Sequence, residues 1–102
     1  MIAVLVVGGP GVEDAEPPSA IEVLHARDAD EAVEKLGRNR RIDAVLVLHD
    51  AAEAVAAIRE DLLAPPPIFV RPGAPAIPGA RRLAAEEPAA LLEEIAREIT
   101  GS

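Results

Sequence analysis

Two stretches of this chain are apolar at every position: residues 2–7 (Ile-Ala-Val-Leu-Val-Val) and residues 44–48 (Ala-Val-Leu-Val-Leu). A strand with one face in water alternates apolar and polar residues. An unbroken apolar run of this length is a strand covered on both faces, the condition of parallel sheets flanked by helices. That requirement predicts an α/β domain.

The rest of the chain fits. Residues 21–24 read as a second short strand closed by His25, residues 43–49 as a third, residues 68–70 as a fourth and residues 80–83 as a fifth at the edge. Between them lie helical signals. Asp28-Ala-Asp-Glu31 has the form of a capping box, in which the aspartate accepts from the Glu31 amide and the glutamate reaches back. Ala32, Val33 and Leu36 follow at core spacing, and Gly37 predicts a stop. Asp50-Ala-Ala-Glu53 is a second capping box, ahead of Ala54, Val55, Ile58 and Leu62. Pro88 suits the first position of a last helix whose stripe is Leu91, Leu92, Ile95 and Ile99. The prolines cluster at 17–18, 65–67 and 72–78, outside the periodic segments, so they punctuate loops. Alternating strands and helices joined by short loops predict an open parallel sheet.

Composition narrows the function. The 102 residues suit a single domain spanning 1–102. Phe69 is the one aromatic residue, which argues against base-stacking platforms and aromatic cages. A formal net charge of −8 opposes binding to phosphate backbones and anionic membranes, apart from small basic clusters such as Arg38, Arg40 and Arg41. The absence of cysteine removes disulfides, thiolate nucleophiles and thiolate metal sites. The apolar run at residues 2–7 is too short for a membrane span and has no basic flank, so a cytoplasmic location is expected.

From Ile21 to Asp50 the chain, IEVLHARDADEAVEKLGRNRRIDAVLVLHD, resembles the second strand, second helix and third strand of a response-regulator receiver domain. Gly79-Ala-Arg-Arg-Leu83 and Pro88-Ala-Ala-Leu-Leu92 resemble its fifth strand and final helix. The resemblance implies a flavodoxin-like, receiver-like five-stranded parallel sheet in the order 2-1-3-4-5, and a role in two-component signalling. It also implies where the family's chemistry belongs, and there the residues depart from it. The acidic magnesium-binding pair falls on Gly8 and Gly9, and the phosphoacceptor aspartate on Leu48. The hydroxyl residue falls near Pro72, and the lysine near Ala85 or Glu86. Phosphoryl transfer needs metal, acceptor and cationic clamp together. Residues 8–20 and 71–79 are too rich in glycine and proline for three helical turns, so the family's first and fourth helices are expected to be missing. One sheet face would then carry two helices and the other only the last.

Other features carry competing readings. Gly8-Gly9-Pro10-Gly11 lies where open α/β sheets bind ligands, but it is neither a G-x-G-x-x-G nor a P-loop pattern. A plain turn and an anion-binding loop both remain open. Asp50 is either a helix cap or a displaced phosphoacceptor. His25 and His49 end strands on either side of the first, about 10 Å apart, and lack metal-ligand spacing. Arg81 and Arg82, like Arg38 to Arg41, read as solvated element ends. No cofactor, resident metal, nucleic-acid partner or small-molecule substrate is expected.

The leading reading is a pseudo-receiver: a non-catalytic signalling module, possessing a surface for a protein partner or a second copy, in the N-terminal part of a longer protein. Since the first strand is apolar on both faces yet would lie under a missing helix, the partner surface is expected on the last-helix face, at Leu91, Leu92 and Ile95. The alternatives are a divergent receiver phosphorylated at Asp50 and a small flavodoxin-like nucleotide-binding domain using Gly8 to Gly11.

Overall fold

The computed structural model describes residues 2–8, 21–38, 41–48, 51–62, 66–73, 77 and 79–100. Its elements, in chain order, are β1 (Ile2–Val7), β2 (Ile21–Ala26), α1 (Ala29–Arg38), β3 (Ala44–Val47), α2 (Ala51–Asp61), β4 (Ile68–Val70), β5 (Ala80–Arg82) and α3 (Pro88–Thr100). The strands form one sheet in the order β2-β1-β3-β4-β5, and every pairing is parallel. This is an α/β fold with a five-stranded parallel sheet, as the apolar runs required.

Strand alternation divides the core in two. On one face Leu5, Val7, Val45, Val47, Ile68 and Val70 meet Ala32 and Leu36 of α1 and Ala54, Val55 and Ile58 of α2. On the other, Val4, Val6, Ala44, Leu46 and Phe69 meet Leu91, Leu92 and Ile95 of α3. Among the described helices, α1 and α2 lie on one face and α3 on the other. Among the described residues no helix stands between β4 and β5. Whether one follows β1 falls on residues 9–20, outside the described set.

Several boundaries differ from the sequence reading: β3 and β5, at Ala44–Val47 and Ala80–Arg82, are shorter than read, while β2 and α1 are longer. β2 runs two residues past Leu24, because Val6 and Val7 pair with His25 and Ala26 and the Gly8 amide donates to the Ala26 carbonyl at 2.8 Å. α1 passes through Gly37 to Arg38. Gly37 is exposed there, so its lack of a side chain leaves no gap in the packing. The capping box at its start is half formed. Asp28 accepts from the Glu31 amide at 2.9 Å, but the Glu31 carboxylate turns to Arg27 at 3.2 Å and Lys35 at 3.4 Å. Two cations outcompete one backbone N–H for it.

Carboxylates also fasten the sheet in ways that local pattern does not announce. Asp43, just before β3, accepts from the Ala3 amide at 2.9 Å while its own amide donates to the Ala3 carbonyl at 2.8 Å. It pins the amino end of β1 to that of β3.

Candidate functional site

In a parallel sheet the carboxyl ends of the strands converge on one edge, where open α/β domains place their chemistry. Here that edge is made by Gly8 after β1, Arg27 and Asp28 after β2, Leu48 after β3, Arg71 and Pro72 after β4, and Leu83 to Glu86 after β5. Gly8 has φ of 63°, the left-handed region that favours glycine. The Leu48 amide donates to the Val7 carbonyl at 2.9 Å, which sets Leu48 directly beside the β1–Gly8 junction. The Leu48 side chain packs against the α3-side core. The two positions that the resemblance assigns to metal binding and phosphate acceptance are thus neighbours, and they present a hydrogen and an isobutyl group.

The loop after β5 is held from α3. Glu94 accepts from the Ala84 amide at 3.1 Å and from the Ala85 amide at 2.9 Å, while Ala85 also packs against the core. A carboxylate therefore sits against the loop where the resemblance would put a lysine. Sequence reasoning missed Glu94 because its partners lie nine and ten residues away and only the fold brings them together.

A hollow of about 270 Å3 opens at this edge between the starts of α1 and α2, lined by Val7, Arg27, Asp28, Ala29, Asp30, Glu53 and Ala54. Of its charged lining, Asp28 caps α1 and Arg27 is bonded to Glu31. The Arg27 guanidinium, followed by Lys35, holds the Glu31 carboxyl below its ordinary value against a smaller desolvation effect. Among the described residues no three His, Cys, Asp or Glu side chains come together as a metal site. His25 is half-buried in β2, and its carbonyl accepts from the Lys35 ammonium. His49 and Asp50 lie outside the described residues, as do Gly9 and Gly11.

The expected partner residues need correction. Leu91, Leu92 and Ile95 are 1%, 0% and 0% exposed. They are the core of the α3 face and cannot line a free surface. The exposed side of α3 carries Glu93 and Arg97 instead. Nor does β1 lie bare, since Val4 and Val6 are 0% and 1% exposed within the single chain.

A second hollow, of about 520 Å3, lies at the opposite end of the sheet's far edge. Pro67, Ile68 and Phe69 of the β4 segment, Gly79, Ala80 and Arg81 of the β5 segment, and Glu98 and Ile99 of α3 line it. Arg81 Nη1 and Glu98 Oε2 are 2.6 Å apart, with the arginine side chain 65% exposed. By contrast Arg38, bonded to Glu34 at 3.0 Å, is a solvated helix end as expected.

Comparison with protein-family models, with curated proteins and with solved structures found no match. The class that the fold defines is an open, all-parallel α/β domain compatible with a flavodoxin-like arrangement. No helix among the described residues is long and apolar enough to cross a membrane.

Proposed function

We propose that this domain is a receiver-like signalling module that works without catalysis, binding a protein partner or a second copy irrespective of phosphate. The observation that carries the reading is the junction of Gly8 with Leu48. Transfer of a phosphoryl group relies on positioned charge, and the two central positions of the sheet's carboxyl edge supply none. The Glu94 carboxylate against the Ala84 and Ala85 amides supports it, because an incoming phosphate would meet a negative group there. Such a module would act in the cytoplasm, within two-component signalling.

Incubation with acetyl phosphate and magnesium, followed by intact-mass measurement, tests this directly. The expected mass is unchanged. Sedimentation at tens of micromolar should likewise give one association state before and after treatment. A stoichiometric phosphate adduct mapping to Asp50 would replace this reading with that of a divergent receiver.

A further inference from the structure

The cations of this acidic chain are unevenly placed. Of its ten Lys and Arg residues, Arg59, Arg71, Arg81 and Arg82 all lie on or against the β4–β5 ribbon, and all four are exposed. Arg81 and Arg82 belong to β5 itself. Arg71 follows Val70, the register partner of Arg82. Arg59 of α2 lies across Gly79, where φ is 86° and an added β-carbon would stand 2.6 Å from its Nη1.

β5 is the last strand of the described sheet. The Leu83 amide donates to the Val70 carbonyl at 2.9 Å, so the inward direction belongs to Leu83, and alternation turns the amide and carbonyl of Arg82 to the outer edge. The same alternation sends Arg81 to the α3 face, where Glu98 meets it, and Arg82 to the α2 face. Beside this edge lies the 520 Å3 hollow, with Phe69, Ala80 and Ile99 as its apolar lining. It has the size of a ligand pocket and ample room for an apolar side chain.

We infer that β5 is the docking edge for an extended, acidic segment of a partner protein. The segment adds alongside β5, sets one apolar side chain into the hollow, and places carboxylates on Arg81 and Arg82. Backbone pairing at an edge supplies affinity, and alternate side chains supply selectivity. Charge chooses the occupant. A second copy pairing edge to edge would set arginines against arginines, which is destabilising. An acidic strand instead meets opposite charge on both faces. Glu98 then holds Arg81 in the free protein as an internal stand-in for the partner's carboxylate.

This inference names the partner chemistry of the interaction module proposed above and rests on that reading. The test follows backbone amide shifts of the full chain by NMR, using a blocked peptide of three Glu-Glu-Val repeats, which presents carboxylates on both faces of an extended strand, its Lys-Lys-Val counterpart and a single-stranded oligonucleotide. The Glu peptide should give saturable shifts at Phe69, Arg81, Arg82 and Ile99, and the Lys peptide none. Double reversal, R81E/R82E, should weaken the Glu peptide by about tenfold or more and admit the Lys peptide. Glu98→Gln should tighten the Glu peptide, because the internal competitor is gone, whereas loss of a merely structural ion pair would not. That variant keeps the test valid if the double reversal fails to fold. Absence of binding to both the wild type and Glu98→Gln would overturn the inference, while the unchanged mass after acetyl phosphate would still support the module. Stronger shifts with the oligonucleotide, or β5 shifts that follow protein concentration alone, would overturn it in favour of nucleic acid or a second copy.

Discussion

The two faces of the sheet are equally dry but differently built. One is covered by α1 and α2, and Leu5, Val45 and Ile58 on it are fully buried. The other has α3 as its only described helix, yet Val4, Leu46 and Leu92 are just as inaccessible. An apolar run therefore reports only that both faces of a strand are covered. It does not report whether the cover is a second chain or the same one. Leu91, Leu92 and Ile95 of the 13-residue α3 are buried in the α3-side core of the same chain, so they are not available to a second one.

The largest effect expected from this comparison is at Leu92. Leu92→Glu should unfold the isolated chain, because it forces an unpaired charge into a fully buried site. If it instead left a folded monomer where the wild type is a dimer, α3 would be an interface after all. Leu92→Ala and Ile58→Ala sharpen the point: each should cost about 2–5 kcal/mol by denaturant unfolding, with neither face markedly cheaper. A much smaller cost at Leu92 would mean that the α3 face is the weaker half of the core.

A smaller effect belongs to the start of α1. Asp28→Ala should cost about 1 kcal/mol, and Asp28→Ser much less, since serine also accepts from the N3 amide. Thermal unfolding of both variants measures the difference, and equal losses would deny the capping role.

The smallest is a pH effect at Glu31. Arg27 and Lys35 depress its carboxyl pKa in the folded state. The unfolded chain therefore binds that proton more readily, and the stabilisation is present above the unfolded value and lost as pH falls through the folded one. Glu31→Gln should lower stability slightly at neutral pH, flatten the acid limb and leave the lowest pH unchanged, the effect being small because the site is solvent-screened.

Legibility in the sequence followed the range of each interaction. Strands β1 and β3 were plain because burial on both faces writes itself into consecutive residues, and α1 was plain because Asp28 and Glu31 sit three apart. The carboxyl end of β2 was not, because His25 of this edge strand is polar and partly wet, and only pairing with β1 extends it. At the candidate site, Gly8 and Leu48 were readable from their offsets along the chain. Glu94, the Asp43 pin and the hollow beside β5 were not, since each joins residues that the fold alone brings together.

The central claim, that the carboxyl edge of this sheet performs no phosphoryl chemistry, has one direct measurement. Backbone amide spectra recorded during titration with magnesium and then beryllofluoride, a mimic of the bound phosphoryl group, report on Gly8, Leu48, Ala84 and Ala85 together. These resonances are expected to stay in place through saturating reagent. Saturable shifts centred on Gly8, Leu48 and Asp50 would contradict it.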